Sequence, residues 1–531
     1  MKKRKLILLS IVGLCMGCST SPQRIPEDLT STNIIEDNYR NFYEIFVRSF
    51  ADSNGDGIGD LQGVIDKLDY IKELGFNGIW LMPINKGSSY HKYDVIDYYE
   101  IDPTFGSMAD LEKLISECHK RNIKLIIDLV LNHSSPANEW YKKAVAAHEK
   151  ELLGLSALTD EEKKFKDFYN FYDSQKDIPS GTTCYKVSSK DFYVEANFSS
   201  GMPEFNCDSE YVREEFKNII EFYLNKGLDG FRLDAVKYYY IGNTTKNVNL
   251  LSEFNKWAKA VNKDAYIVGE CWDATEIIQN YYGSGIDSFF NFSTSVSNSS
   301  SPIVNSLNQE GRMLNRYYNG LLDNVSIAKD HIPAPFLDNH DMPRYSSQVN
   351  ATTNKFKYGL LSMMNGATYT YYGDEIGMVG NNTGGRDENV RISIPWGEDD
   401  PYVCKMISNV SEYSYPHGTV EEQLNDKNSI LNYYKKSLLL RNQNPEIARG
   451  EISLVSMDRE EAKSLFIKKT YNEKSIGIIF NFSPQNDISI DYGKEGFLEV
   501  VGQLVVDDEK YITKQDEHTI MLPPYSIAIV R

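Results

Sequence analysis

Asp234, Glu270 and Asp341 each close a short apolar run: Gly-Phe-Arg-Leu-Asp-Ala-Val-Lys at 230–237, Gly-Glu-Cys-Trp at 269–272 and Phe-Leu-Asp-Asn-His-Asp at 336–341. Carboxylates at strand ends, far apart in sequence, can converge on one pocket. A converging set of carboxylates is what cleavage of a glycosidic bond needs. One must hold a proton for the leaving oxygen, and neighbouring negative charge raises its pKa towards that role. Another must stay ionised to meet a positive, oxocarbenium-like transition state. Arg232 stands two residues before Asp234. Residues i and i+2 of a strand share a face, which puts a guanidinium beside that carboxylate. A plain buried Asp–Arg pair is the alternative for Asp234, and Glu270 and Asp341 at neighbouring strand ends argue against it.

These acids need a scaffold that brings strand ends together. Apolar runs at 41–50, 78–83, 124–131, 228–234, 265–270, 287–293, 333–338 and 367–372 read as strands. Amphipathic helices fall between most of them. Leu61 to Leu74 repeats apolar residues near a 3.6 period and stops at Gly75, and Met108 to His119 does the same. Eight strands alternating with helices predict an α/β fold, a (β/α)8 barrel, over 39–132 and 208–440. A doubly wound open sheet is the alternative, but no Gly-x-Gly-x-x-Gly follows a strand. The long connection at 133–207 predicts a small inserted domain. Short β runs with turn residues between them predict an antiparallel β domain over 445–531.

The chain has 531 residues and a formal net charge of −19, which argues against nucleic acid or an anionic lipid surface as partner. Lys2-Lys3-Arg4-Lys5 followed by an apolar run to Met16 reads as a targeting segment over 1–18, too short to span a bilayer as a mature helix. It resembles a bacterial lipoprotein signal, with Gly17 before a lipidated Cys18, although Cys15 stands where Leu is usual. That resemblance implies an extracytoplasmic protein, lipid-anchored to the cell membrane or envelope, or else secreted. Residues 19–38, rich in Ser, Thr, Pro and Asn, read as a flexible tether. The remaining cysteines form no disulfide framework; a Cys184–Cys207 pair is the one bridge considered. A monomer is expected.

Four runs occur in order: Asp128-Leu-Val-Leu-Asn-His133, Gly230 to Lys237, Glu270-Cys-Trp272 and Phe336 to Asp341. Together they resemble the signature regions of the α-amylase family of glycoside hydrolases, and Gly78 to Pro83 and Met202 to Asn206 look like its auxiliary regions. The resemblance implies that Asp234 is the nucleophile, Glu270 the general acid and base, and Asp341 the transition-state stabiliser. It also implies sugar contacts for His91, Tyr93, His133, Arg232 and His340, with Trp272 and Lys237 on the leaving-group side.

The run Asp52-Ser-Asn54-Gly-Asp56-Gly-Ile58-Gly-Asp60 places oxygen ligands at alternating positions with glycines between them, which suits Ca2+. An EF-hand would need a bidentate Glu where Gly63 stands. The run resembles a metal loop after the first barrel strand in several family members. That likeness implies ligands from Asp52, Asn54, Asp56 and Asp60 and the carbonyl of Ile58, with Mg2+ as the alternative ion. A second calcium site beside Asn132 is put in doubt by Tyr238, where the family usually has His.

Exo-acting glucosidases of the family carry Asp three residues before the stacking Tyr; here that residue is Tyr90. The resemblance therefore implies an open cleft and retaining, endo-acting hydrolysis of α-1,4-glucans. The α-glucosidase, neopullulanase and glucanosyltransferase activities use the same residues. A non-catalytic glycan-binding barrel would usually lack one of the three acids.

Overall fold

The computed structural model describes residues 23–25, 30–307, 310–323, 331–457, 463–507 and 509–531; the expected signal segment, with Cys18, lies outside them. Eight parallel strands form the central sheet: β1 (Asn41–Ile45), β2 (Gly78–Leu81), β3 (Lys124–Leu129), β4 (Gly230–Leu233), β5 (Tyr266–Gly269), β6 (Ser288–Asn291), β7 (Ala334–Pro335) and β8 (Thr368–Tyr371). Each pairs with the next, Thr368 lies opposite Asn41 to join β8 to β1, and Phe336 opposite Tyr369 closes the ring. The sheet is a closed barrel, not an open doubly wound one.

Barrel interiors usually fill with branched aliphatic side chains. This one is aromatic. Phe42 stacks on Tyr266 and Tyr369 with centroids 5.2 and 4.8 Å apart, and Trp80 packs on Phe290 at 5.4 Å. Rings that fill the barrel leave its ends as the places where polar groups can gather.

The expected strand 41–50 is shorter than its apolar run. It ends at Ile45, and Val47–Phe50 forms one helical turn. Phe46, Val47, Ser49 and Phe50 are buried and only Arg48 between them is partly exposed, so the run has no period-two alternation to tell strand from helix. The helix expected over 61–74 breaks at Lys67 into Leu61–Asp66 and Leu68–Leu74, and Gly75 ends it in the left-handed conformation (φ 104°). Within the first piece, a Cβ on Gly63 would lie 2.1 Å from the carbonyl oxygen of Ala51, so only glycine lets this helix dock beside the loop after β1.

The insert after β3 holds the helices Glu139–Leu152 and Asp160–Lys166 and a three-stranded antiparallel sheet of Phe171–Tyr172, Tyr193–Glu195 and Cys184–Lys186. The bridge between His133 and Glu204 ties its end back to its beginning. Cys184 and Cys207 carry free thiols, so the bridge considered between them is not formed. Beyond the barrel, a five-stranded antiparallel sheet runs from Glu451–Met457 to Ser526–Val530, as expected for the C-terminal domain.

The described part of the expected tether is mostly exposed over 30–36 but is anchored at several points. Gln23–Arg24 pairs antiparallel with Thr513–Lys514 at the edge of a second C-terminal sheet, and Ile25 is buried in that sheet's core. Asn33 donates its amide to the Asn442 carbonyl, and Asp37 forms an ion pair with Arg449 at 2.6 Å. Composition points to a coil here, yet backbone pairing is blind to side-chain polarity. No helix among the described residues is long and apolar enough to cross a membrane.

Candidate active site

The register of β3 against β4 sets Arg232 directly opposite Asp128. Arg232 Nη1 lies 2.8 Å from Asp128 Oδ1 and 2.6 Å from Asp234 Oδ1, while Nη2 lies 3.0 Å from Glu270 Oε2. The guanidinium is buried and also faces the Trp80 ring at 5.1 Å. The expected Arg232–Asp234 contact is therefore present, but it is one arm of a hub that also holds Asp128 and Glu270. Sequence reasoning gives Asp128 no role in the site beyond its place in a motif. A signal for it exists: an acid at the end of a strand that pairs with the strand carrying Arg232.

Immediately after Asp234 the chain turns sharply. Ala235 adopts a left-handed conformation (φ 48°), unusual for a residue with a Cβ. The turn aims the Ala235 amide at Glu270 Oε2, 3.2 Å away. Burial raises the Glu270 pKa, Arg232 opposes the rise, and the negative charge of Asp234 and Asp341 adds to it. Burial likewise pushes Asp128 up to about 7, against the pull of Arg232.

Asp341 has the opposite surroundings. Its Oδ2 lies 3.0 Å from His340 Nε2 and its Oδ1 lies 2.8 Å from Arg391 Nη2. Burial would raise its pKa, but these two cations outweigh burial and hold the carboxyl well below the usual range. His340 sits between Glu44 (2.6 Å) and Asp341, with its ring stacked on Tyr93 at 5.6 Å. Burial alone would lower its pKa; the two carboxylates push it up to about 10, so it is an imidazolium at neutral pH.

A cleft of about 650 Å³ opens over this cluster. His91, Tyr93, His133, Lys237 and Trp272 line it, with Asp234, Glu270 and Asp341, so eight of the ten expected catalytic and sugar-binding residues reach one cavity. Arg232 and His340 lie behind its wall, fully buried. Tyr93 donates from its hydroxyl to Asp128 Oδ2 at 3.0 Å. His133 Nε2 lies 3.2 Å from the Tyr93 carbonyl, and burial lowers the His133 pKa. Burial, with help from Arg391, pushes His91 down to about 4. Both are neutral imidazoles at neutral pH. Lys237 Nζ donates to the Trp272 carbonyl at 2.5 Å, and the half-exposed Trp272 ring stacks on Phe292 at 5.0 Å. Phe198, Tyr238, Asp387 and Arg391 also line the cleft, and sequence reasoning misses them. Arg391 comes from an irregular segment fifty positions past Asp341, where neither periodicity nor a motif marks it.

The expected metal ligands lie together on the loop between β1 and the helix Leu61–Asp66, away from this cleft. Asp52 and Asp60 are buried. Asp52 Oδ2 accepts from the Gly57 amide at 2.6 Å, Asn54 Oδ1 from Asp56 at 2.9 Å, and Asp56 Oδ1 from Ile58 at 2.7 Å. Asp60 caps the helix through the Gly63 amide at 2.7 Å. Among the described residues no group of three or more His, Cys, Asp or Glu side chains is already gathered as a metal cage.

Comparison with known proteins agrees with this geometry. The family model "Alpha amylase, catalytic domain" matches residues 44–450. Alpha-amylase 3 of Dictyoglomus thermophilum is 34% identical over 509 residues, covering 93% of each chain. The solved structure of Eubacterium rectale Amy13B superposes with a TM-score of 0.85 at 36% identity, over 94% of this chain and 96% of that one. An α-amylase from H. orenii superposes with a TM-score of 0.77 at 29% identity, over 93% and 99%. The three carboxyls on one guanidinium, the imidazolium-bound Asp341 and the match across barrel, insert and C-terminal sheet agree: the chain belongs to the α-amylase family of glycoside hydrolases.

Proposed function

We propose that this enzyme cleaves internal α-1,4-glucosidic bonds of starch-like glucans and maltooligosaccharides by double displacement, with retention of configuration. The observation that carries this is Arg232 touching both Asp234 and Glu270. One guanidinium bridges the two carboxyls, which makes them neighbours, an arrangement compatible with the ~5–5.5 Å spacing of a retaining pair. Glu270, its pKa raised, gives its proton to the glycosidic oxygen as Asp234 attacks the anomeric carbon. Asp341, held ionised, faces the positive charge that develops. Water deprotonated by Glu270 then releases the sugar from Asp234. Tyr90 supports the endo reading: a half-buried phenol, hydrogen-bonded to Arg391 at 3.1 Å, stands where an exo-acting relative grips the chain end with a carboxylate.

Glu270→Gln is expected to lose turnover on starch by about a thousandfold while keeping starch binding, since it removes the general acid alone. Near-normal turnover would sink the assignment. NMR of the first-formed anomer tests retention; a β-anomer from an α-glucan would refute double displacement.

A second reading, glucanosyl transfer, is favoured by the aromatic walls of the cleft. Phe198 and Tyr238 pack at 4.9 Å, and Lys237, whose Nζ lies 5.5 Å from the Tyr238 ring, also reaches the Trp272 carbonyl, so three aromatic residues line the same cleft. Sugar faces stack on such rings, so an acceptor sugar could compete with water. Products longer than the substrate would favour it.

The loop at Asp52–Asp60 offers only hard oxygen donors, two of them buried carboxylates, and that donor set fits Ca2+, with Mg2+ as the alternative. In this reading Asp52, Asn54, Asp56, Asp60 and the Ile58 carbonyl hold the ion and brace the loop. A rise in melting temperature on adding Ca2+, lost in Asp56→Ala, tests it. The lipid anchor on Cys18 and an extracytoplasmic location remain part of the proposal; Cys18→Ala should release the protein from membranes.

A further inference from the structure

The segment 390–393 is irregular, and its backbone has no sheet partner, yet all four residues are buried. Buried carbonyls need donors. Each of these four finds one on a different side chain. Val390 O accepts from Arg344 Nε at 3.0 Å, Arg391 O from Ser49 Oγ at 2.8 Å, Ile392 O from Tyr372 Oη at 2.6 Å and Ser393 O from Tyr415 Oη at 2.6 Å. The donors come from four places: the segment after β7, the helical turn after β1, the end of β8 and the strand near Tyr413. The Ile394 amide adds a bond to the Ser49 carbonyl at 3.1 Å.

One side chain leaves this strip for the cleft. Arg391 Nη2 reaches Asp341 Oδ1 at 2.8 Å and Asp387 Oδ2 at 3.2 Å, Nη1 reaches the Tyr90 hydroxyl at 3.1 Å, and Nε donates to the His340 carbonyl at 3.0 Å. A long, flexible arginine would lose much rotamer freedom in holding four partners. A backbone fixed at four successive carbonyls reduces that loss, because the Cα and its direction are set before the side chain binds.

We propose that Ser49, Tyr372, Tyr415 and Arg344 are positioning residues that act through Arg391 on Asp341. The strip places the guanidinium so that Asp341 presents one fixed carboxylate geometry to the sugar, and its other nitrogen, Nη1, holds the Tyr90 hydroxyl. This rests on Asp341 taking part in catalysis, and it goes further by tying residues with no contact to the cleft to that acid. Ser49 leads back to the turn just before the Asp52–Asp60 loop, so that loop and the cleft share this strip.

The test is a double-mutant cycle in the full chain, on whichever maltooligosaccharide the wild type turns over best. Tyr415→Phe removes one donor and keeps the ring. It should lower kcat by about fivefold with little change in KM, and Arg391→Ala should lower kcat/KM by about a hundredfold. In the Arg391→Ala background, Tyr415→Phe should cost less than about twofold, because residues acting on one unit are not additive. The acid limb of the kcat/KM profile should also move to higher pH in Tyr415→Phe, as Asp341 loses a well-placed cation. Equal losses in both backgrounds, or no loss in the wild-type background, would overturn the proposal; a purely structural role gives equal losses and an unmoved pH profile. Ser49→Ala runs the same cycle if Tyr415→Phe does not fold. A wild type that prefers another linkage would revise the substrate reading and leave the outcome of the cycle intact.

Discussion

Two groups of buried cations lie at opposite ends of the barrel strands, and they are neutralised in different ways. At the carboxyl end Arg232 is surrounded by Asp128, Asp234 and Glu270. At the amino end Arg441 donates to the carbonyls of Ser362, Met364 and Gly366 and to Asn41 Oδ1, at 2.5–2.8 Å. Beside it, Lys469 donates to the carbonyls of Met363 and Ile447, both at 2.8 Å. The first centre has more negative charge than positive, so protons are held there more tightly than in water. The second uses neutral oxygens only, and there burial, reinforced by Arg441, pushes the Lys469 ammonium well below its usual pKa. An end that must move a proton carries excess acids; an end that only joins the barrel to the C-terminal domain does not.

Breaking the first centre should have the largest effect. Arg232→Met leaves three buried acids without their cation. It should abolish turnover to below about a thousandth and cost about 3–5 kcal/mol of stability, read by starch assay and urea unfolding. His340→Asn removes the second cation beside Asp341. The acid limb of kcat/KM should rise by about one pH unit or more, since a carboxylate loses its neighbouring charge. Arg441→Met should cost about 3 kcal/mol through orphaned carbonyls, yet leave kcat within twofold. A large loss of kcat there would erase the contrast between the two ends.

Lys469→Met sharpens the comparison with the smallest effect, about 1–2 kcal/mol. Its pH dependence has a definite sign. A lysine whose folded pKa is depressed binds fewer protons folded than unfolded, so stability rises with pH up to the unfolded value near ~10.4. Unfolding free energies from pH 7 to 10 should climb in the wild type and climb less in Lys469→Met.

Much of the active centre is legible in the sequence because its chemistry sits on strands. Period two places Arg232 beside Asp234, and a parallel barrel brings the ends of β4, β5 and β7 together without further information. Arg391 is not legible, since it belongs to an irregular strip whose position depends on four distant donors. Buried apolar runs reveal the barrel strands, and the same signal misleads at 46–50, where burial of four of the five residues hides the turn of helix. Polar composition reads 19–38 as coil, while Gln23–Arg24 is held by backbone groups that composition does not register.

That short N-terminal strand has a consequence in time. Its partner, Thr513–Lys514, lies near the other end of the chain. At ~5–20 residues per second of synthesis, roughly 25–100 s separate the making of the two strands. The barrel can close during that interval, but this sheet edge is completed only after Thr513–Lys514 has been made. A strand made before the barrel thus finds its place after it, and a chain cut before Thr513 would leave Gln23–Arg24 without that partner.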